Sequence, residues 1–474
     1  MQCVTGVRFL AVTGSVRKNA KLEGGDAHAG LFRSRCQSRE GVPVSEGLPG
    51  TAGRSEATGL NLTLGVLLVV YIFNFLDRQI VAILAEPIAK DLSLSDTQIG
   101  VLTGLAFAMF YTTLGFPIAR YADRAKTDRV RLIALATAIW SVMTALCGMA
   151  ANFTQLLLAR IGVGVGEAGC TPPAHSLITD IAPPEKRARA FALYQLGPPV
   201  GGLIGMVLGG VLADSVGWRN AFIVVGLPGL LAALLVMALL RDPRRDENFR
   251  AERPAPRQTG ASEALREILA SRAMVRLLIA SALASFSLYG VMIWTAIFFQ
   301  RSHGLTAGET GLWFGLANGI ASIAGVWLGG MFGDAQLRRG KQHLLTVPSL
   351  ALIGSSPLFL AALLVADWRV AMLGMAASIL LNWLYVAPYY SAVQGLAAPR
   401  NRAVASALVL FLQNAVGIGI GPVLLGYVSD LLKPEYGDES VRYVLFVTAA
   451  FSTLGGLVLW TARKYLPDEL DRAH

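Results

Sequence analysis

Apolar runs of roughly 20 residues, separated by short polar connections, recur along this sequence from Leu60 to Ala462. A helix rising 1.5 Å per residue needs about 20 such residues to cross hydrocarbon about 30 Å thick. Lipid offers the backbone no hydrogen-bond partner, so runs of this kind fold as helices. The shorter, alternating segments of a membrane β-barrel are not seen. The pattern predicts about twelve passes. The first six are Leu60–Leu84, Ile99–Ile118, Leu132–Ala151, Phe153–Ser176, Ala190–Ala213 and Ala221–Leu240. The second six are Val275–Phe299, Thr310–Gly333, Leu344–Val365, Trp368–Val393, Ala403–Val428 and Tyr443–Ala462. A polar, proline-bearing stretch between Arg241 and Arg276 separates the two sets.

Composition strengthens this reading. Hydrophobic residues make up 54% of the 474 positions and charged residues only 15%, against about a quarter charged in a soluble domain. The net charge of +10 raises nucleic acid as a partner, but the distribution of the bases argues against it. With the N-terminus placed in the cytoplasm, the cytoplasmic connections and linker carry 22 Lys and Arg and the opposite side 6, the positive-inside pattern. The expectation is a multi-pass protein of a bacterial inner membrane, monomeric, with both termini cytoplasmic. Its excess base attracts anionic membrane lipid. Cys3, Cys36, Cys147 and Cys170 have no paired spacing, and the five His are dispersed, so neither a metal nor a cofactor is expected.

The two sets of passes repeat one another. Gly330–Asp334 after the eighth pass matches Ala119–Asp123 after the second, and Gly426–Asp430 after the eleventh matches Gly210–Asp214 after the fifth. Ser95–Gly100 before the second pass is echoed by Ala307–Gly311 before the eighth. Three ordered matches at a similar offset indicate a duplicated unit. The domains are therefore a disordered extension over 1–59, a six-helix bundle over 60–240, a cytoplasmic linker over 241–273, a second bundle over 274–466 and a tail over 467–474. Residues 1–59 are rich in Gly, Ser and charge.

Two six-helix halves joined by such a linker resemble the major facilitator superfamily. Asp123-Arg124, with Arg129 and Arg131, is similar to that superfamily's loop motif after the second helix, although Ala119 replaces its usual Gly. Gly197-Pro198-Pro199-Val200-Gly201-Gly202 is similar to its fifth-helix exporter motif. Phe75-Leu76-Asp77-Arg78, and Arg160 through Glu167-Ala168, resemble the Spinster-type branch. The resemblance implies an all-α membrane fold of two pseudo-symmetric bundles and secondary transport by alternating access. It also implies proton coupling, as in prokaryotic relatives, and an amphipathic anion such as a lysophospholipid or sphingoid phosphate. A small organic, aromatic anion or a drug is the alternative substrate. It implies too that Asp123, Arg124 and Asp334 latch the cytoplasmic side and that Gly197 and Pro198 belong to a bend used in switching.

The charges carry the candidate chemistry. Apart from Asp77, Arg78, Arg160 and Glu167, every charged residue falls outside the predicted passes or at their ends. Each buried charge costs at least about 2.5–3.5 kcal/mol on insertion scales. Asp77 and Arg160 lie at similar depth, roughly 10 Å from one face, and Glu167 lies about two turns deeper on the face of Arg160. Desolvation favours neutral Glu167, whereas a nearby Arg favours the ion. Arg160 is expected to alternate between Glu167 and either Asp77 or an anionic substrate, which leaves Arg78 without an assigned partner. A static ion network is the competing reading. Asn74, Asn382, Tyr289 and Gln413 are candidates to line the cavity, with interhelical packing the alternative. Gly164-x-Gly166-x-x-Gly169 matches a dinucleotide fingerprint but follows no strand. With no Walker A sequence and no nucleophile–base pair, the chain reads as neither ATP-driven nor an enzyme.

Overall fold

The computed structural model describes residues 52–122, 124, 127–246, 249, 261–398 and 401–472. Among them the regular structure is helical. The first half contains α1 (Ala52–Leu92), α2 (Asp96–Ala122), α3 (Arg129–Gly148), α4 (Phe153–Ala168), α5 (Thr171–Ile181), α6 (Pro184–Tyr194) and α7 (Gly197–Leu239). After α8 (Ala261–Ala270), the second half contains α9 (Arg272–Ser302), α10 (Ala307–Arg339), α11 (Thr346–Leu363), α12 (Trp368–Trp383) and α13 (Val386–Leu396). It closes with α14 (Arg402–Leu412), a π-helical stretch Gln413–Ile420, α15 (Gly421–Tyr436), α16 (Ser440–Ala462) and α17 (Leu466–Arg472).

Among the described residues nine helices are long and apolar enough to cross a membrane. Two of them, Arg189–Leu239 with 51 residues and Val404–Ala462 with 59, exceed twice the length of one pass. Gly217 interrupts the first with φ 81°, and Gly437 opens a turn in the second with φ 54°. Both values suit glycine and strain other residues. The fourth expected pass is split into α4 and α5 at Gly169–Cys170, so neither part reaches spanning length alone. Counting each long helix twice and the split helix once recovers the expected number of passes. Pro198 and Pro199 stand just past a turn within the long Arg189–Leu239 segment, not in the middle of a regular helix. They occupy the first turn of α7, where proline's missing N–H has no intrahelical partner to lose, and the break lies just before them at Gln195–Leu196.

Glycines pack α7 onto α1. A Cβ on Gly201 would fall 2.3 Å from the Ile72 carbonyl oxygen, and one on Gly205 would fall 2.7 Å from that of Leu76. Backbones this close need small residues between them. α1 begins at Ala52, inside the extension expected to be disordered, and runs on through Glu86, Lys90 and Asp91. Residues 1–51 lie outside the described residues. At the other terminus, α17 docks through Glu469, which accepts hydrogen bonds from the Arg272 and Ala273 amides at the start of α9, each 3.1 Å.

Two of the three repeated pairs meet at the end of the bundle that holds Asp96. Ser95 with Gln98, and Thr306 with Glu309, form capping boxes that start α2 and α10. Asp430 accepts from the Asp96 and Thr97 amides at 2.9 and 2.8 Å. Its repeat counterpart Asp214 accepts from the Gly308 amide at 2.9 Å. Each half therefore caps a helix of the other. Arg301 adds a two-pronged contact to Asp96, 2.8 and 2.9 Å, and a bond to Glu86, 2.6 Å.

The opposite, linker end of the first half is held by a second network. Arg129 is fully buried and reaches Asp242 from Nε, Nη2 and its own amide at 3.0, 2.6 and 2.7 Å. It also reaches Asp180 at 2.7 Å, which Arg244 contacts at 2.9 Å. Burial by itself would push the Asp242 carboxyl up, but the hydrogen bonds and charge of Arg129 outweigh it and hold the carboxyl below its usual range. Its contribution to stability is therefore complete above about pH 4 and is lost as pH falls through the depressed folded value. Asp242→Asn is expected to cost about 3–5 kcal/mol at neutral pH and to flatten the acid-side fall in thermal stability. Unfolding curves of both proteins between neutral and acidic pH measure this.

Candidate functional site

Consecutive residues on a helix point about 100° apart, so Asp77 and Arg78 cannot face the same neighbour. Asp77 turns to α3, where its Oδ2 accepts from the Thr144 hydroxyl at 2.7 Å. Arg78 turns to α2 and α4, and its Nε donates to Glu167 Oε2 at 2.6 Å. Glu167 is fully buried, whereas the Arg78 side chain keeps 14% exposure. Glu167 stands in the last turn of α4, immediately before the break that leads to α5. The Arg78 guanidinium lies 4.8, 4.7 and 4.5 Å from the ring centres of Phe75, Phe107 and Tyr111, inside cation–π range.

The structure corrects the expected pairing: Glu167 engages Arg78, the one charge left without a role, rather than Arg160. Arg160 is buried, with Nε and Nη1 lacking any hydrogen-bond partner, and stands 5.9 Å from the Phe107 ring centre. Asn74, fully buried one turn before Arg78, has neither amide atom partnered. Glu167 Oε1, Arg78 Nη2 and Asp77 Oδ1 are also unpartnered. A buried donor or acceptor left unmatched costs about 1–3 kcal/mol, more when charged, so this cluster carries capacity for further partners.

Arg78 and Arg160 line a pocket with Gln79, Thr103, Phe107, Tyr289, Met292 and Ile418. Tyr289, Met292 and Ile418 come from the second half, so the pocket lies between the halves. Tyr289, a candidate to line the cavity, is one of these lining residues. Gln413 lies in the π-helical stretch, accepts from the Tyr390 hydroxyl at 3.1 Å and donates to Ser281 at 2.8 Å. Asn382 lies in a different pocket within the second half, with Ser287, Ser355, Ser378 and Ser452, and donates to Ser452 at 3.1 Å.

Asp123 lies outside the described residues. Arg124 is exposed beside the Tyr121 ring, and Asp334 is exposed on α10. Gly197 packs against Tyr71 at the start of α7, followed by Pro198 in its first turn. Among the described residues no group of three or more His, Cys, Asp or Glu could hold a metal ion. Sequence reasoning missed Thr144, which only the angular offset between Asp77 and Arg78 could have suggested. It also missed the buried set Glu86, Asp96 and Arg301, because the expected helices ended short of them.

Comparison with known proteins fits this architecture. A sequence profile of the Major Facilitator Superfamily matches residues 67–422. An MFS-type efflux pump of Mycolicibacterium smegmatis is 32% identical over 413 residues, covering 86% of this chain and 94% of the pump. Protein spinster homolog 1 of Mus musculus is 26% identical over 461 residues, covering 91% and 86% respectively. The crystal structure of a bacterial homolog to the human lysosomal transporter Spinster, inward-facing and unoccupied, superposes with a TM-score of 0.79 at 30% identity. It covers 87% of this chain and 98% of the homolog.

The Arg78–Glu167 pair makes a prediction of its own. Arg78→Gln leaves the buried Glu167 carboxyl without its counter-charge and is expected to cost about 3–5 kcal/mol of stability at a pH high enough to keep it ionised. The double variant with Glu167→Gln should recover most of that loss. Thermal unfolding of the two single variants and the double variant checks the non-additivity.

Proposed function

Since the chain belongs to the Major Facilitator Superfamily, we propose that it is a proton-coupled secondary transporter that moves an amphipathic anion, such as a lysophospholipid or sphingoid phosphate, by alternating access. It is an integral multi-pass membrane protein of a family whose members carry small molecules. The finer reading rests on one observation: a buried Arg–Glu pair at the wall of a pocket shared by both halves, with a second, unpartnered guanidinium beside it.

The proposed cycle uses Arg78 as the switch. While Arg78 holds Glu167, the carboxylate form is favoured. An anion entering the pocket competes for Arg78 and is also bound by Arg160, whose planar fork suits phosphate or carboxylate. Glu167 then loses its counter-charge in a desolvated place and takes a proton. Phe75, Phe107, Tyr289, Met292 and Ile418 offer apolar contact to the substrate's hydrophobic part. With the N-terminus cytoplasmic, the interlocked Asp96 end faces outward. Among the described residues the hydrogen bonds between halves lie from Gln79 to that end, which supports an inward-open state. We place the protein in a bacterial inner membrane, as a monomer.

A second reading, efflux of a small organic anion or drug, is favoured by the efflux-pump relative and by the ring-rich pocket. Proteoliposomes holding the purified protein separate the two: lysophosphatidylglycerol should compete for and accumulate through the carrier, and benzoate should not. The reverse ranking supports the second reading. In either case Glu167→Gln is expected to reduce gradient-driven uptake to the rate without a pH gradient. Full gradient-driven uptake by this variant would sink the coupling role. Arg160→Ala is expected to raise the KM for the anion about 10- to 100-fold, the loss of one or two charge-assisted bonds.

A further inference from the structure

Glu167 has no exposed surface, and Arg78 stands between it and the pocket. A proton that binds there needs a way in or out. On the side of Glu167 away from the Asp96 end, a file of buried polar atoms leads to the linker end. Tyr71, Asn74 and Arg78 share one face of α1 at spacings of three and four residues. Thr171 and His175 stand one turn apart on α5, which resumes just past Glu167. Tyr194, the last residue of α6, is fully buried between them. Its ring stacks on Tyr71 with centres 4.3 Å apart and meets the His175 ring edge-on at 5.5 Å.

The polar atoms of this file are left open. Among the described residues the Tyr194 hydroxyl, Thr171 Oγ1, His175 Nε2 and both amide atoms of Asn74 are buried without a partner in good hydrogen-bond geometry, while Tyr194 lies close enough to Thr171, and Asn74 to Glu167, to interact. A packed interior rarely strands so many groups together. The file also ends in a suitable place: Ser176, next to His175, accepts from Arg129 and Arg244 at 3.1 and 3.2 Å in the linker-end network. His175 follows Glu167 across the α4–α5 break, more than one helical turn further along the chain, too far for one transfer and suited to several.

We propose that Asn74, Tyr71, Tyr194, Thr171 and His175 form a proton path between Glu167 and the linker end, with His175 as its relay. This rests on the reading of Glu167 as the proton carrier and adds the route. Hydroxyls and ordered water pass a proton by accepting one and releasing another, and a neutral imidazole does so through its two nitrogens. The ionisable groups around the file are Arg78 and Tyr71 from α1, Tyr111 from α2, Glu167 and Cys170 at the α4 break, Tyr194 and Arg187 from α6, and Tyr289 from α9. Arg187 is tied to the Thr179 carbonyl at 3.0 Å. The imidazole is therefore the one group of the file whose ordinary titration lies near neutral pH. The path opens toward the linker end and avoids the pocket, so a bound substrate would not block proton exchange.

The test follows protonation of Glu167 directly, in the full chain reconstituted in lipid vesicles. The infrared carbonyl band of its acid form, identified by its loss in Glu167→Gln, is monitored after a pH jump applied on the linker side. His175→Gln is expected to slow the appearance of the band about tenfold or more, the scale of a lost acid–base group, with the titration midpoint unchanged. Tyr194→Phe should also slow it, and imidazole in the medium should restore part of the rate to His175→Gln. A wild-type rate in His175→Gln overturns the path while leaving Glu167 as carrier. A midpoint that moves together with the rate marks His175 as structural and overturns the path as well. If no band titrates in the parent protein, the carrier reading and the path fall together.

Discussion

A charge inside hydrocarbon has no solvent to satisfy it, so each one must find a partner within the protein or face water. That constraint sorts the buried ionic groups here into three levels. At the linker end, Arg129, Asp180, Asp242 and Arg244 match donors to acceptors over several bonds. At the Asp96 end, Arg301, Glu86, Asp96 and Asp430 do the same across the two halves. Between them, Asp77, Arg78, Arg160 and Glu167 make two bonds to protein partners, Arg78 to Glu167 and Asp77 to Thr144, and leave buried atoms unmatched. The outer levels hold structure together. The middle one is the level with capacity to bind something else.

The duplicated architecture explains how the halves meet. At the Asp96 end the contact is reciprocal: Asp430 caps α2 and Asp214 caps α10, with Gly426 and Gly210 bringing the backbones together. A Cβ on either glycine would fall within 2.2–2.3 Å of a carbonyl oxygen of the partner helix. Such an interface is made of a few directional bonds around small residues. Buried apolar residues of both halves, among them Ile80, Ile83, Ile293 and Ile297, pack in one continuous core beside these bonds. The symmetry stops at the site. Where the first half places charges, the second places Asn382 and a set of buried serines bonded mainly to one another and to backbone carbonyls.

Much of this was legible in the sequence because the physics of lipid leaves little freedom. The apolar runs located the helices, the motif repeat pointed to two halves, and the cost of intramembrane charge singled out the candidate site. Pairing within the site was not legible. Depth along a helix follows from counting residues, but the direction of a side chain depends on helix rotation, and Arg78 and Arg160 were indistinguishable on depth alone. Glu86 and Arg301 were missed for a different reason. Hydropathy ends a helix where charge begins, whereas α1 and α9 continue past those residues because an ionic partner awaits each in the other half. The breaks before α5 and α7 fall where Pro172, Pro173, Pro198 and Pro199 enter first turns, a signal that sequence alone reads equally well as a bend.

The surroundings of Arg78 explain why it, and not Arg160, suits the role of switch. A guanidinium released from its carboxylate in a dry site would lose more than a surface pair gains, and the site would resist opening. Around Arg78 three aromatic rings lie within 5 Å of the guanidinium carbon, and each attracts a cation through its face. In the proposed exchange of Glu167 for another anion these contacts keep the cation in place while its partner changes. Arg160 touches this set through Phe107 alone, at 5.9 Å, and its unpartnered donors gain most from an incoming anion. In the proposed cycle the two arginines divide the work: Arg78 keeps its position and trades partners, and Arg160 supplies the unmet demand that makes the trade favourable.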